Sequence, residues 1–444
     1  MTGFDIGLDL FPLLAATLAA LTCGILGNFL VLRRISLMGD AISHSVLPGL
    51  VIAFLVTTNR NPAAMFLGAA LAGIATVVLV ELVKKLGRVE PGAAMGVVFS
   101  ILFAFGVLLI EQAAARHVDL DADCVLHGQL ETLVWYGAPD TFAQLFRTIT
   151  PSDIPRQVTT LALMTLLSFG FVALLFKELR IAAFDPGLAT TQGFHAGVMH
   201  YVLMVFVAAA TVASFEAVGS ILVIAMLVCP AATARMLTDR LRTQIYLSVV
   251  VAFLCGLGGY IAATAVPAIW NKDAVNAAGS MSMVAGALLT AAIIASPRHG
   301  LVSRWLRRRN LASTIARDDL LAALFRSAES GRERVSLESL RHAFPAHRIA
   351  RTVTSAARAG LVRSENAELS LTPSGRAAAA DLVRRHRLWE HYLVEKAGMA
   401  PDHVHAAAEQ LEHLDAEPPG GPTTDPHGRT IPNQDPPPKP SRGA

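Results

Sequence analysis

The sequence predicts an all-α polytopic membrane protein of about nine transmembrane helices that continues into a cytoplasmic winged-helix (α+β) and helical metal-binding region. Of its 444 residues, 53% are hydrophobic and only 16% are charged, whereas soluble domains carry about 25% charged residues. Apolar runs recur up to about residue 300, after which Arg, Glu, His and finally Pro become frequent. This change in composition divides the chain into a membrane half and a soluble half.

Nine apolar runs have the length that a helix needs to cross a bilayer, about 20 residues. None of them has Asp, Glu, Lys or Arg in its interior. The sixth and seventh runs are separated only by Glu216, so a tight hairpin is expected there, and a count of eight or ten spans stays open. The predicted spans are residues 13–32, 41–59, 62–80, 92–110, 158–176, 197–215, 217–234, 245–269 and 279–296.

Basic residues follow every odd-numbered span, and such residues favour the cytoplasmic side of a membrane. The N-terminus is therefore expected outside the cell and the C-terminal region in the cytoplasm. The residues that carry this pattern are Arg33, Arg34, Lys84, Lys85, Arg88, Lys177, Arg180, Arg235, Arg240, Arg242, Arg298 and Arg304.

An acid and an imidazole, Asp40 and His44, lie at the start of the second span. They are one helical turn apart, so both side chains are expected on one face. Ionisable groups inside a membrane cost at least about 2.5–3.5 kcal/mol near its centre and usually mark a transport path. Carboxylate and imidazole suit divalent manganese, iron and zinc. The alternative is that Asp40 caps a helix and His44 packs against a neighbour.

A short polar segment between the fifth and sixth spans is predicted to contain a brief helix. Proline is favoured at the first position of a helix, which places the start at Pro186, and glycine favours the end. On the cytoplasmic side such a helix would suit the docking of a motor subunit, and a simple loop is the alternative. The residues singled out are Phe184, Asp185, Pro186, Gly187, Leu188, Ala189 and Gly193.

Residues 24–56, 183–194 and 213–241 closely resemble the permease subunits of zinc/manganese ABC transporters. The resemblance implies that residues 1–300 are the transmembrane permease domain of a transporter in the bacterial inner membrane. It implies three partners: a cytoplasmic ABC ATPase, an extracellular or periplasmic metal-binding protein, and a second permease subunit, identical or paralogous. It further implies that Asp40 and His44 coordinate the ion and that the segment at residues 184–193 contacts the ATPase.

The chain is not expected to be an enzyme. It has no Gly-x-x-x-x-Gly-Lys-Ser/Thr loop, so ATP hydrolysis is assigned to the separate ATPase. No tightly bound cofactor is predicted, and a divalent manganese, zinc or iron ion is expected as the substrate and as a candidate effector. The same ligands serve all three metals, so the sequence does not choose among them.

The soluble half is predicted to contain a basic linker at 301–315, a winged-helix-like domain at 316–376, a helical metal-binding region at 377–417 and a Pro-rich tail at 418–444. The composition of that tail does not support a core, so it is predicted to be disordered. An excess of Arg before the metal-binding region suits membrane lipid or the phosphates of DNA. Helices are predicted at 316–327, 336–360, 374–397 and 401–414, and strands at 361–362 and 369–372.

Two predicted helices of the soluble half each place carboxylates and imidazoles on one face. His386 and Glu390 are four residues apart, and Glu409, Glu412 and His413 have spacings of three and four. Together these side chains would suit a divalent ion. A solvated face on a helix rich in Arg and Glu is the alternative.

Residues 316–414 resemble the metal-dependent repressors that include the diphtheria-toxin and manganese-transport regulators. The motifs at 371–376, 385–390 and 409–413 carry this resemblance. Ala322 departs from it, since the manganese regulators usually have a second acidic ligand there. The ligands that the resemblance implies are His386, Glu409, Glu412 and His413, with Asp319 as a further candidate.

Taken together, these features predict the permease subunit of an ATP-driven importer of divalent transition-metal ions with a metal-sensing or regulatory tail. The alternative is a membrane-tethered metal-dependent transcription regulator. That alternative needs DNA as a partner and is less favoured, because the tail is tethered to the membrane. An ion-coupled carrier without an ATPase is a third hypothesis.

Overall fold

The computed structural model describes residues 5–57, 62–114, 130–135, 137–139, 144, 150, 153–269, 274–340, 346–365, 367–413 and 422–432. The chain forms two compact units, Met1–Ser303 and Arg304–Ala444. The first unit is a bundle of long helices, and the second combines shorter helices with a small sheet.

Some helices of the first unit begin at capping or helix-starting residues. The carboxylate of Asp5 accepts hydrogen bonds from the N–H groups of Gly7 and Leu8 and so caps the first helix. The second predicted span is divided at Val46, two residues before Pro48. The helices are α1 (Ile6–Leu32), α2 (Met38–Ser45), α3 (Leu47–Thr57), α4 (Pro62–Gly87), α5 (Pro91–Ala114), α6 (Arg156–Leu174), α7 (Phe176–Phe184), α8 (Pro186–Thr191), α9 (Ala196–Leu237), α10 (Leu241–Ile269) and α11 (Ala277–Ala295).

Eight helices within the described residues are long and apolar enough to cross a membrane, whereas the sequence predicts about nine spans. The difference lies in α9, a single element of 42 residues that covers the spans predicted at 197–215 and 217–234. A straight helix of that length would be about 63 Å long, about twice the thickness of the hydrocarbon core. The element is interrupted at Gly219, where φ is 76° and ψ is 171°, a conformation that is essentially restricted to glycine.

Both ends of α9 lie at the same end of the bundle, so the chain reverses direction within this element. Near its start, Nδ1 of His200 is 2.8 Å from Nη1 of Arg33, just after α1. The next helix, α10, also starts there, because Gln244 donates a hydrogen bond of 3.1 Å to Asn28 near the end of α1. We call this end of the bundle the Arg33 end.

The first unit finishes at the Arg33 end although it begins at the opposite end. Ser296, which follows α11, donates a hydrogen bond to the carbonyl of Met236 near the end of α9. At the opposite end, Tyr260 of α10 donates a hydrogen bond of 2.8 Å to Asp9 near the start of α1. Because the chain reverses within α9, it crosses the bundle an odd number of times, as the nine predicted spans require.

Close approaches between helices depend on glycine. A Cβ atom added at Gly27 of α1 would lie 1.9 Å from the carbonyl oxygen of Leu227 in α9. One added at Gly259 of α10 would lie 2.4 Å from Cα of Met281 in α11. Small residues at contacts of this kind are typical of helix packing in membranes, where close van der Waals contact drives association.

The second unit has a winged-helix arrangement followed by two helices. Its antiparallel sheet has the strand order β1-β3-β2, with Val362 opposite Leu371 and Glu365 opposite Glu368. A short 3₁₀ turn at Pro401–His403 precedes the last helix. The elements are α12 (Leu301–Glu329), β1 (Val335–Ser336), α13 (Leu337–Leu340), α14 (Ala346–Arg358), β2 (Val362–Glu365), β3 (Glu368–Leu371), α15 (Pro373–Glu395) and α16 (His405–Leu411).

The structure adds detail to three predictions for this unit. The stretch at 301–315, predicted as a basic linker, is helical and forms the first half of α12, consistent with the good helix propensity of Arg and Leu. Within the helix predicted at 336–360, the structure describes α13 and α14, and residues 341–345 lie outside the described part. The helix predicted at 401–414 is shorter, because a 3₁₀ turn replaces its start.

Residues 422–432 belong to the tail that the sequence predicts to be disordered, yet they form a compact turn. Thr424 pairs with Thr430 across a β-bridge, and the Asp425 carboxylate accepts two backbone hydrogen bonds from the turn. The guanidinium of Arg387 on α15 donates to the carbonyl of Thr430. The prediction of disorder is wrong for this stretch, because composition does not reveal an anchoring contact with one buried arginine. The other residues of 418–444 lie outside the described part.

Candidate functional site

Asp40 and His44 lie together on one face of α2. Nε2 of His44 is 3.4 Å from Oδ1 of Asp40, and the two side chains are 28% and 38% exposed, respectively. The rings of Phe99 and Phe103 on α5 lie 5.3 and 5.9 Å from the imidazole. The pair thus offers carboxylate and imidazole donors beside an aromatic wall. This arrangement suits a cation that has lost part of its water shell.

The short helix α2 is held firmly between its neighbours. A Cβ atom at Gly39 would lie 2.3 Å from the side chain of Leu227 on α9. On the other side, the hydroxyl groups of Ser45 and Thr76 are 2.6 Å apart, which joins α2 to α4. Because Asp40 and His44 project from an element fixed on two sides, movement of α4 or α9 would move both donors together.

A second polar cluster at the Arg33 end is missing from the sequence prediction. The buried carboxylate of Glu81 is 3.2 Å from Nε2 of His200 and 3.0 Å from Nζ of Lys84. The other imidazole nitrogen contacts Arg33, so the cluster joins α1, α4 and α9. The spacing of Glu81 and Lys84 could have indicated half of it. His200 has no partner at helical spacing, so sequence alone could not place it.

The surface helix predicted after Asp185 is present as α8. Asp185 caps it by accepting a hydrogen bond of 2.9 Å from the N–H of Leu188, and Pro186 is its first residue. Gly193 ends it with φ of 85°, and the N–H of Phe194 donates to the carbonyl of Ala189 at 2.9 Å, as in a Schellman motif. The side chains left exposed include those of Phe184 and Leu188.

In the second unit, His386 and Glu390 of α15 meet His405 of α16. Nε2 of His386 is 3.0 Å from Oε1 of Glu390, which also contacts Nδ1 of His405. One donor atom from each residue lies within 4.8 Å of the others. The ring of His427, from the turn at 422–432, stacks on His405 at 4.8 Å. Two imidazoles and a carboxylate at this separation fit a divalent transition metal.

The protonation of this group depends on its buried carboxylates. Burial alone lowers the pKa of His386, but hydrogen bonds to Glu390 and Glu412 outweigh burial and raise that pKa to about 9. Burial raises the pKa of Glu390, yet the contacts with His386 and His405 hold it below its ordinary value. Without metal, the buried imidazole therefore carries a proton that a metal ion would have to displace.

A second donor group joins α12 to the end of α16. Nε2 of His413 is 3.6 Å from Asp319 and 3.8 Å from Glu412. Nδ1 of His413 is buried and makes no hydrogen bond among the described residues, although it lies 3.7 Å from Oδ2 of Asp318. Burial, opposed by His413 and reinforced by neighbouring carboxylates, raises the pKa of Asp319 to about 6. An imidazole surrounded by carboxylates fits a second divalent ion.

Five of the six residues singled out in this region fall into these two groups. Glu409 is exposed and is outside both of them. His405 is missing from the ligands that the sequence predicts, although it lies four residues before Glu409 and therefore on the same helix face. The spacing of His405 and Glu409 could have indicated that His405 is a candidate ligand.

A bundle of long apolar helices that contains a paired acid and imidazole, and that exposes a capped surface helix, is typical of polytopic membrane proteins of the transport class. The comparison with family models is consistent with this. The chain belongs to the ABC 3 transport family, whose model matches residues 10–135 and 149–296.

Similar proteins include membrane subunits of bacterial metal transport systems. The manganese transport system membrane protein MntD of Bacillus subtilis is 38% identical over 295 residues, covering 66% of this chain and 94% of the relative. The zinc transport system membrane protein TroD of Treponema pallidum is 36% identical over 366 residues, covering 82% and 95%. The solved structure of PsaBC from Streptococcus pneumoniae in complex with Fab matches with a TM-score of 0.53 and 25% identity, covering 68% of this chain and 94% of that one.

The second unit also matches a known family. The model of the iron dependent repressor, metal binding and dimerisation domain matches residues 372–417, which include α15 and α16. The alignment with TroD covers 366 residues, which is longer than the first unit, Met1–Ser303, so it continues into the second unit. Both family resemblances seen in the sequence are therefore confirmed.

Proposed function

We propose that this chain is the permease subunit of an ATP-driven importer of divalent transition-metal ions. The observation that carries the proposal is the pair Asp40 and His44, whose donor atoms are 3.4 Å apart on one short helix of the bundle. Relatives named for manganese and zinc transport support the choice of cargo. Carboxylate and imidazole accept manganese, zinc or iron.

A second permease subunit, identical or paralogous, completes the proposed site. Two side chains are fewer than the four or more ligands that these metals take. Asp40 and His44 are partly exposed on the surface of the single chain, where a partner could supply the missing donors. The likeness to PsaBC supports such pairing.

The Arg33 end of the bundle is proposed to face the cytoplasm of a bacterium. The positive-inside rule favours this orientation, because the fold collects basic residues from several helices at that end. They include Arg33, Lys84, Lys85, Arg235, Arg242 and Arg298. The opposite end would then receive the ion from an extracellular or periplasmic metal-binding protein.

A separate ABC ATPase is proposed to dock on α8. Phe184 and Leu188 are 59% and 47% exposed, so the otherwise polar surface of this segment offers two apolar anchors. Asp185 and Gly193 fix the two ends of the helix. Because α7 joins α8 directly to α6, a displacement of α8 by the ATPase would also displace α6 in the bundle.

The second unit is proposed to sense the metal that has entered. Its two candidate ligand groups are His386, Glu390 and His405, and Asp319, Glu412 and His413. All of these residues except Asp319 lie in the segment that matches the metal-binding repressor domain. The domain division for this role is a winged-helix part at 316–376 and a metal-binding part at 377–417.

One observation favours the second candidate, a membrane-tethered transcription regulator. Helix α14 exposes Arg351, Thr354 and Arg358 around a concave surface of about 460 Å³, which is suited to phosphate contacts. This candidate predicts metal-dependent binding of the full chain to DNA fragments. Binding that is absent with and without manganese in a gel-shift assay would exclude it.

The test of the importer is uptake of radiolabelled manganese and zinc into vesicles that contain the assembled transporter and ATP. We expect Asp40→Asn and His44→Ala each to abolish uptake while the protein still inserts and binds its ATPase. Glu111→Gln is the matched control, since it removes an exposed carboxylate at the end of α5 and should leave uptake unchanged. Normal uptake by both site variants would contradict the proposal.

A further inference from the structure

A groove on the outer surface of the bundle remains unexplained by metal transport. It lies between α1, α6 and α10 and has a volume of about 520 Å³. Its walls are apolar apart from the ends of two side chains. The lining residues that matter here are Phe169, Val172, Ala173, Phe176, Arg242 and Tyr246.

The groove ends among cationic groups. Arg242 of α10 places its guanidinium carbon 5.5 Å from the centre of the Phe176 ring, and Arg180 of α7 places its own 5.9 Å from the same ring. Both arginines are exposed. Arg242 lies in the first turn of α10, at the Arg33 end of the bundle, so the charges mark one end of the groove and the apolar walls run away from them.

Neither Arg180 nor Arg242 forms an ion pair with a carboxylate among the described residues. The nearby acid on α7, Glu178, is two positions from both Phe176 and Arg180 in sequence and therefore points to the opposite side of the helix. Two like charges on one ring repel each other, and an anion placed between them would remove that repulsion.

We propose that the groove binds an anionic phospholipid from the membrane leaflet at the Arg33 end of the bundle. Its phosphate would lie at Arg180 and Arg242, and an acyl chain would lie along α6 and α10. Basic pockets between transmembrane helices on the cytoplasmic side are typical binding sites for acidic head groups. The stretch of α10 from Arg242 to Val249 is about 10 Å long and lines the groove. This length accommodates the part of an acyl chain that is next to the head group. Tyr246, 71% exposed, is of a residue type enriched at this depth of a membrane.

The groove lies beside the segment that connects the bundle to α8, so a bound lipid would affect the coupling between the permease and its ATPase. Phe176 is the first residue of α7, and α7 leads directly into α8. A lipid bound against Phe176 and Arg180 would fix the segment that connects the bundle to the surface helix. Acidic lipid is therefore expected to favour ATP-driven function as well as to bind.

Native mass spectrometry of the full chain in detergent, titrated with phosphatidylglycerol and with phosphatidylcholine of the same acyl chains, tests the proposal. We expect one phosphatidylglycerol to bind about 10- to 30-fold more tightly than phosphatidylcholine, from the contribution of two arginines. The double variant Arg180→Gln/Arg242→Gln should lose that preference. Ala173→Phe, at an exposed lining position, should block both lipids by filling the groove.

A matched control removes the same charge elsewhere. Arg351→Gln/Arg358→Gln changes two exposed arginines of α14 in the second unit and should keep the full preference. Arg180 and Arg242 are exposed and have no ion pair among the described residues, so we expect their double variant to stay folded even if Ala173→Phe does not. Thermal unfolding of each variant checks this.

Several results would overturn the proposal. An unmodified chain without preference for phosphatidylglycerol would do so, as would a control variant that loses as much binding as the groove variant. Competition by glycerophosphoglycerol, which has the head group without chains, would show a phosphate site instead of a lipid site. A lipid-free dimer that cross-links through Tyr246→Cys would show that a second copy of the chain covers the groove.

Discussion

His386 and His405 both contact Glu390, but their different burial gives their removal different consequences. The side chain of His386 is 10% exposed and also contacts Glu412, whereas that of His405 is 54% exposed. We predict that His405→Ala destabilises the metal-free second unit by only about 1 kcal/mol, because the buried carboxylate of Glu390 keeps its contact with His386. The increase in its unfolding temperature on adding manganese should shrink, because one of three donors is lost. Differential scanning calorimetry of the full chain measures both quantities.

The control for this prediction is a nearby histidine outside the two donor groups. The side chain of His403 is 75% exposed and pairs with the neighbouring Asp402. His403→Ala should keep the entire manganese-dependent shift. A full shift in His405→Ala would show that His405 is not a ligand and that its contact with Glu390 is an ordinary ion pair.

Spacing along the chain explains which donors can be predicted from sequence. His386 and Glu390 are recognisable because four residues define one face of a helix. Their meeting with Glu412 and His405 depends on how α15 packs on α16, which no spacing reveals. The same limit applies to His200, which lies in an apolar helix and finds Glu81 and Arg33 only in the folded bundle.

At the scale of elements, α8 depends on the cap that Asp185 provides. A helix of six residues is too short to be stable by its own hydrogen bonds. We predict that Asp185→Ala, which removes the hydrogen bond to the N–H of Leu188, destabilises α8 by about 1 kcal/mol. The ATPase should then co-purify less with the permease, which quantitative pull-down measures.

Thr191→Ala is the matched change at the other end of the same helix. Its hydroxyl only donates to the carbonyl of Leu188 at the exposed surface. Recovery of the ATPase should therefore stay close to that of the unmodified chain. Equal losses in the two variants would indicate that any change in α8 disturbs docking and that the cap has no special part.

The reversal in α9 depends on one glycine. At Gly219, φ is 76° and ψ is 171°, and a side chain there costs of order 1–3 kcal/mol. We predict that Gly219→Ala lowers the unfolding temperature of the first unit and its yield in membranes. Gly170→Ala, at an open position in α6, should be neutral or slightly stabilising, because alanine is the better helix former. Equal stability of the two variants would contradict the role of Gly219.

These two elements show what sequence patterns can and cannot define. The bounds of α8 are predictable, because Asp185, Pro186 and Gly193 act through the local backbone. The interruption in α9 is not, because hydropathy reports how apolar a segment is and not which glycine adopts a non-helical backbone conformation. The sequence predicts the hairpin at Glu216, three residues earlier, because Glu216 is the only charged residue between the two apolar runs.

For the whole molecule, the odd number of crossings decides what the second unit can detect. The chain begins at one end of the bundle and leaves it at the Arg33 end. With the Arg33 end in the cytoplasm, as proposed, the second unit meets only metal that has already entered. A metal sensor in that position can respond to the cytoplasmic metal concentration and act directly on the transporter to which it is attached.

We therefore predict feedback that requires the second unit. In vesicles containing the assembled transporter, manganese preloaded on the cytoplasmic side should change the initial rate of uptake by the full chain. A chain ending at Ser303, the boundary of the first unit, should transport without responding to the preload. Glu412→Gln/His413→Ala should behave in the same way, because it removes two donors of one group while the polypeptide stays attached. A response that survives in both altered chains would place the sensor elsewhere, because neither could then bind metal at that group.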